Sequence, residues 1–394
     1  MEQESKPSPE SIYGEGLRIA VDAKRALSNT TGLGNYSRLV IEALSSLPVG
    51  NRIMLMSAPG CDTSRVSGLL NRNNVELYEG HGAAARLAPW LWRSHTLGKE
   101  LRRLSPEVYH GLSNELPLNI ASSGVPSVVT MHDVIWRRFE SDYTAVDRRL
   151  YDLKYGRSAR NATRVIAISE CTARDLQSDF DIPREKIDVV YQGCDLSFVP
   201  QSESEIERVR RVYNLGAGPY AIAVGTVQGR KNQLLAVRGL RALPRELRLV
   251  IVGRRTRYAA EIDAYIASHR ELDGRVIWLE GVPFGDLPAL YSGAVFSSYT
   301  SRYEGFGLPL IESLSCKVPC IGATGSCLEE AGGPGAFYVE PDSEEAWAEC
   351  ARRYLDDTEL RQSMAMEGYC HTGKFSADSF AAGTMKSYHK AIER

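Results

Sequence analysis

"YAIAVGTVQGRKNQ", Tyr220 to Gln233, runs an apolar stretch into a glycine-bearing turn and then two cations. An apolar, β-branched run of this length that stops at glycine reads as a buried strand, and a helix is expected from about Asn232. The same order opens the chain: "LRIAVDA" (17–23), the turn "SNTTGLGNYSRL" (28–39), and a helix beginning "NYSRLVIEALSSL" (35–47). A strand, a turn with glycine and a helix, occurring twice, imply two domains built on one plan.

The rest of the chain fills in that plan. Between these two starts, strands are expected at 52–58, 75–80, 107–112, 126–134, 164–169 and 187–193, with helical patterns separating most of them. After Tyr220 they follow at 247–253, 275–281, 294–301, 318–324 and 336–341. Strands alternating with helices predict parallel sheets flanked by helices, an α/β class. The expected architecture is two Rossmann-like domains with parallel sheets facing across a cleft. The first spans 14–197 and is completed by a C-terminal helix, 376–394. The second spans 198–375, and "LSFVPQSESE" after Asp195 is a hinge.

Composition excludes several classes. The 394 residues carry 47 Lys and Arg against 49 Asp and Glu, so no nucleic acid is expected as a main partner. None of the eight cysteines forms a C-x-x-C pair, which fits buried free thiols in a reducing compartment. Cys316 and Cys320 are spaced like half a metal site, but no neighbouring histidine completes it, and packing is favoured. The opening "MEQESKPSPE" reads as a flexible tail, not a signal peptide. No apolar run approaches the roughly 18 residues of a spanning helix, so a cytoplasmic chain is expected.

In open parallel sheets ligands sit beyond the carboxyl ends of strands. In the first such turn Gly32 and Gly34 would let the backbone approach a phosphate or sugar, or merely satisfy a turn that needs positive φ. As a dinucleotide fingerprint this turn fails, because Ser37 stands in the last glycine's place and no acidic residue ends the next strand. In the second domain Arg230 and Lys231 arrive together ahead of a helix, where a diphosphate would find a guanidinium fork and an ammonium. "RYEGFGLPLIESL" (302–314) puts Glu304 in a loop at a strand's end and Glu312 in the first turn of a helix opened by Pro309. Between them Gly305 and Gly307 allow the N–H groups of Phe306, Gly307 and Leu308 to turn inward, and each carboxylate is a suitable acceptor for vicinal hydroxyls; taken singly, Glu312 reads better as complementing the helix dipole and Glu304 as capping a neighbour. His132 and Asp133 end the strand 126–134; a lone histidine is more often a packed or hydrogen-bonding residue than a reactive one, and Asp133 beside it could tune it, though adjacent strand residues point to opposite faces. "DFD" (179–181) matches a metal-binding D-x-D but falls at a helix end, where a solvated loop is expected.

Taken in order, "TTGLGNYSRL", "MHDVIW", "RVIAISE", "VVYQGCD", "VGTVQGRKN" and "SRYEGFGLPLIESL" resemble the retaining glycosyltransferases of family 4, which have the GT-B fold. The resemblance runs from about Arg18 to about Asp357. It implies that Glu312 binds the ribose hydroxyls of a nucleotide-sugar and that Glu304 contacts the donor sugar near its O3. Arg230 and Lys231 would stabilise the departing diphosphate, Gly32 and Gly34 would close over it, and His132 would lie near the anomeric carbon. Many members have arginine after the glycine that ends the second domain's first strand, where this chain has Thr226 after Gly225, so Arg230 and Lys231 would carry the diphosphate. Glu329 and Glu330 occupy a position where relatives often have a glycine-rich turn ending in glutamate, and neither is assigned a role. No cofactor and no metal are implied, because the nucleotide-sugar is a substrate.

The activity implied is transfer of a hexose, of mannose or glucose type, from a GDP- or UDP-sugar to a glycan or polyprenyl-linked acceptor in cell-surface polysaccharide synthesis. The alternatives are a nucleotide-sugar epimerase or hydrolase of the same fold, and an inactive nucleotide-sugar-binding protein. A nicotinamide-dependent oxidoreductase would need the fingerprint that Ser37 spoils. "ARLAPWLWRSHTLGKELRRL" (85–104) combines Trp90 and Trp92 with five cations. It is read either as a peripheral contact at the inner face of the plasma membrane or as a helix packed on the sheet with a charged outer face, the second being favoured.

Overall fold

The computed structural model describes residues 9–393. The chain divides into two compact units, one running up to Gly193 and resuming at Ala377, the other covering Cys194–Ser376. The junctions stand against the expected 197/198 and 375/376. The expected hinge is in part packed structure: Phe198 is buried, with its ring 5.4 Å from Phe284 and 6.0 Å from Tyr291. Of the expected tail, residues 1–8 lie outside the described residues, and Pro9 and Glu10 start a short helix, Pro9–Tyr13.

The first unit is a seven-stranded parallel sheet of β1 (Arg18–Asp22), β2 (Arg52–Ser57), β3 (Val75–Glu79), β4 (Val108–Gly111), β5 (Ser127–Met131), β6 (Arg164–Ala167) and β7 (Ile187–Val189), in the order β3-β2-β1-β4-β5-β6-β7. The second has six: β8 (Tyr220–Val224), β9 (Arg248–Val252), β10 (Val276–Leu279), β11 (Phe296–Tyr299), β12 (Cys320–Ala323) and β13 (Ala336–Val339), in the order β10-β9-β8-β11-β12-β13. All the pairings are parallel. Central strands such as β4, β5 and β12 are buried at every position, because helices cover both faces. In each unit the order reverses once, between β1 and β4 and between β8 and β11, and a crevice opens beyond the strand ends at such a point.

The C-terminal helix Ala377–Ile392 returns to the first unit and is held there by polar contacts as well as apolar ones. Asp188 on β7 accepts from Arg164 (2.6 Å), Lys390 (2.6 Å) and Ser387 (2.9 Å). His110 bridges Tyr388 on this helix (2.7 Å) and Thr130 on β5 (2.8 Å). Gly383 faces Val190, where an added Cβ would stand 3.0 Å from a methyl.

The stretch 85–104 is not one helix. Pro89 opens a short turn, Pro89–Leu91, after the Gly82–Leu87 helix, and a π-turn, Trp92–Thr96, precedes Leu97–Leu104. Trp92 is core, its indole N–H donating to Glu100 (2.7 Å), while Trp90 is 70% exposed. "DFD" sits where the Glu170–Phe180 helix ends, with Asp181 left-handed at its C-cap and Asp179 paired to Arg138 (3.0 Å). The eight cysteines are free thiols, and Cys316 and Cys320 are both buried. Among the described residues no helix is long and apolar enough to cross a membrane.

Burial would raise the Asp188 carboxyl, but its hydrogen bonds from Arg164, Lys390 and Ser387 outweigh that and lower it. Asp188→Ala leaves Arg164 buried without its carboxylate and is expected to cost the first unit about 3 kcal/mol in urea unfolding at neutral pH. Because the folded group titrates below the unfolded one, this difference is present above about pH 4 and shrinks as the pH falls through that value.

Candidate functional site

The six-stranded sheet brings Arg230, Lys231, Glu304, Phe306, Gly307, Leu308 and Glu312 together, because β8 and β11 are neighbours at its reversal point. The turn after β8 is stitched to the loop after β11: the Arg302 N–H donates to the Arg230 carbonyl (2.8 Å), and the Thr300 hydroxyl donates to that of Asn232 (3.1 Å). Arg230 and Lys231 lie on a 3₁₀ turn, Gly229–Lys231, and Asn232 is left-handed at φ 55°, so the following helix starts at Gln233, one residue later than expected.

Glu304 is the centre of this arrangement. Its Oε1 accepts from Arg230 (2.7 Å), Lys231 (3.1 Å), the Ser301 hydroxyl (2.8 Å) and the Tyr299 hydroxyl (2.9 Å). Arg230 also donates to the Tyr303 carbonyl, and Lys231 to the Tyr299 hydroxyl (2.7 Å). Burial alone would raise the Glu304 carboxyl; Lys231, Arg230 and Ser301 win and hold it at about 2. Two cations against one carboxylate leave one net positive charge beside the strand ends.

Past Glu304 the chain turns at Gly307, whose φ of 103° and whose Cβ position, 2.7 Å from a Leu328 methyl, both require glycine. Gly307 caps the Leu308–Ser315 helix, Pro309 is its second residue, and Phe306 is buried with its ring 5.3 Å from Phe375. The first N–H groups of such a helix have no acceptor within it. Glu312 lies beyond the first turn, not in it as expected. Its Oε2 accepts from the Tyr291 hydroxyl (3.2 Å), and burial raises it to about 7. Glu304 and Glu312 therefore differ: one is locked as a carboxylate, the other titrates near neutrality.

The remaining expected residues belong to the first unit. Gly32 and Gly34 do not form a loop; they lie in the first turn of the Gly32–Ser46 helix, capped by Thr31 and by the Asn29 side chain, which accepts from the Gly34 N–H (3.2 Å). A Cβ on Gly34 would stand 2.0 Å from the Asn29 carbonyl oxygen, whereas one on Gly32 meets nothing within 4 Å. His132 follows β5, which ends at Met131, and does not end the strand itself. It is buried against Tyr36, rings 4.6 Å apart, and its Nε2 donates to the Leu112 carbonyl (2.9 Å). Burial lowers it to about 4, so at neutral pH the ring is uncharged and Nδ1 is its acceptor nitrogen. Asp133 accepts from the Ile135 N–H (3.1 Å).

Sequence motifs missed a third cluster. Beyond the reversal point of the first sheet Arg93 donates to Asp22 at the end of β1 (2.6 Å) and pairs with Glu115 after β4. A cavity of about 730 Å³ opens beside it, lined among others by Lys24, Arg65, Trp90 and Lys154. No local pattern marks these residues, which meet from far apart in the chain.

With this geometry in hand the chain can be placed. Its two halves match glycosyltransferase families: Glycosyl transferases group 1 matches residues 205–370, and Glycosyltransferase Family 4 matches 32–198. The fold is GT-B, and the chain is an enzyme of that class. O-antigen chain mannosyltransferase B of Escherichia coli is 25% identical over 375 residues, 91% of this chain and 96% of its own. O-antigen chain mannosyltransferase RfbU of Salmonella typhimurium is 25% identical over 334 residues, 84% and 88% of the two chains. Among solved structures, Anabaena Alr3699/HepE, in complex with UDP and glucose, superposes with a TM-score of 0.72 at 17% identity, covering 93% of this chain and 97% of that one. Sucrose-phosphate synthase from Thermosynechococcus elongatus gives 0.71 at 17% identity, covering 94% and 98%.

Three substitutions test the packing around these residues. Glu304→Ala strands Arg230 and is expected to lower the stability of the second unit by roughly 3–5 kcal/mol, read by chemical unfolding. Gly34→Ala is expected to lower the melting temperature of the first unit, while Gly32→Ala leaves it unchanged.

Proposed function

We propose that the protein is a retaining, metal-independent hexosyltransferase that moves a mannose- or glucose-type sugar from a GDP- or UDP-hexose to a glycan acceptor, a polyprenyl-linked one in cell-surface polysaccharide synthesis. The observation that carries this is the pairing of Arg230 and Lys231 on Glu304 with Glu312 on the adjoining helix. The surplus positive charge complements a diphosphate, and Glu312, as a carboxylate, accepts two vicinal ribose hydroxyls. Glu304 takes a hydroxyl of the donor sugar, and the amides at Phe306, Gly307 and Leu308 face the hexose and its diphosphate. Within the first unit, neutral His132 keeps Nδ1 as an acceptor suited to a sugar hydroxyl. The relatives' names support mannose and glycan assembly, and the HepE complex supports a nucleotide-sugar.

In this reaction the bond from the anomeric carbon to the diphosphate oxygen breaks, and a bond to the acceptor oxygen forms on the same face. The departing phosphate oxygen takes the acceptor's proton, and Arg230 and Lys231 stabilise its charge in place of a metal. The cavity beside Arg93 is the acceptor's place in the first unit, at the inner face of the plasma membrane.

Release of nucleoside diphosphate from UDP-, GDP-, dTDP- and ADP-sugars in EDTA, with and without bacterial lipid extract, tests this. Release from one donor that rises with lipid is expected, falling at least a hundredfold in Lys231→Ala and Glu312→Ala by an order-of-magnitude estimate. Release indifferent to any acceptor would instead assign a hydrolase or epimerase. Because Glu312 titrates near 7 and binds as a carboxylate, the donor KM is expected to fall as the pH rises from about 6 to about 8. In Glu312→Gln this pH dependence disappears.

A further inference from the structure

The Ala145–Asn161 helix has an outer face that its packing does not explain. Its inner side is buried through Tyr155, Gly156, Ser158 and Ala159. Its outer side carries Val146 (75% exposed), Leu150 (41%) and Leu153 (67%), which at these spacings form one stripe. Arg149, Lys154, Arg157 and Arg160 are exposed around that stripe. At about 100° per residue, Arg149 and Arg160 flank it on one side, Lys154 flanks it on the other and Arg157 lies within it. Of the helix's two acids, Asp152 is turned away and accepts from Trp136 and Arg137 (2.7 Å each), while Asp147 accepts from the N-cap Thr144 (2.7 Å) and lies on the same side as Lys154.

A second exposed apolar point lies on the same flank. Leu87 (86%) and Trp90 (70%) project beside exposed Arg86. Trp90 lines the larger cavity next to Arg93, Leu150 and Leu153 line a smaller one of about 230 Å³ on the same cluster, and Lys154 borders both. The whole chain is nearly neutral, at −2, so this cationic rim is a local feature.

We propose that the Ala145–Asn161 helix is an interfacial helix that docks the first unit on an anionic lipid bilayer, with Leu87 and Trp90 as a second point of insertion. An apolar stripe flanked by cations on both sides, with Asp147 as the one acid at its edge, complements a surface of acidic headgroups over hydrocarbon on both counts. This assignment stands apart from the donor site and survives whether or not the donor proposed above is correct.

Co-sedimentation of the full chain with vesicles of phosphatidylcholine, or of an equal mixture with phosphatidylglycerol, reads it directly. The chain is expected to pellet only with the anionic vesicles, and less at high salt. Arg149→Gln with Lys154→Gln weakens binding roughly twenty-five-fold, at about fivefold for each cation. Leu150→Gln with Leu153→Gln weakens it by about tenfold. Both pairs lie on exposed positions and leave the melting temperature unchanged. Equal binding to both vesicle types, binding unaffected by either pair, or no pelleting at all would overturn the proposal. So would a lipid-free dimer that Leu150→Gln with Leu153→Gln converts to monomer, which would give the stripe to a second copy.

Discussion

A carboxylate held between two cations at the junction of β8 and β11 is the constraint on which the second unit's site depends. Burying any one of these charges alone would cost several kcal/mol, so none of the three can be placed there independently. Glu304 makes the arrangement tolerable by accepting from Arg230, Lys231, Ser301 and Tyr299 at a single oxygen. The consequence reaches the backbone: the turn carrying the cations must meet the loop carrying the acid, and the hydrogen bonds from Arg302 and Thr300 to that turn record the fit.

Close packing of glycine supports the same junction. Gly225 has φ 140°, a backbone that favours glycine, and the aliphatic stem of Lys231 lies over it, 3.4 Å from where a Cβ would stand. Gly253, at the end of the neighbouring strand, would clash with the Gly225 carbonyl at 2.1 Å. The lysine is thus aimed by bare backbone beneath it and by the Tyr299 hydroxyl beyond it, two restraints that leave its ammonium little freedom. Thr226, where relatives often have arginine, contributes its carbonyl to Gln233.

The strands were legible because parallel strands covered on both faces read as continuous apolar runs, and all thirteen lie where such runs occur. Their ends were less so: the apolar run 126–134 continues past the ladder, which stops at Met131, and so His132 seemed to end a strand. The pair Glu304 and Glu312 was visible as a motif, but not that one is ion-paired and the other near neutrality, since Tyr291, Tyr299 and Ser301 arrive through tertiary packing. Glycines misled where the backbone is ordinary: Gly34 is small to clear the Asn29 carbonyl, which no spacing rule reveals. Trp92 is packed, in keeping with the favoured reading of 85–104, whereas Arg93, counted there among the outer charges, lies on the inner side of a broken helix.

The two units solve a similar problem with opposite charge. Each puts an arginine–carboxylate cluster where its sheet order reverses, Glu304 with two cations in one and Arg93 with two acids, Asp22 and Glu115, in the other. A core with surplus positive charge favours a ligand whose negative charge grows as a bond breaks, which is the demand of a departing diphosphate. A core with surplus negative charge offers acceptors, suited to the hydroxyls of a sugar, while Lys24, Arg65 and Lys154 around the cavity supply cations at its margin. Sequence composition averages these charges to near zero over the chain, and so the division of labour between the halves is visible only once the strand order places each charge.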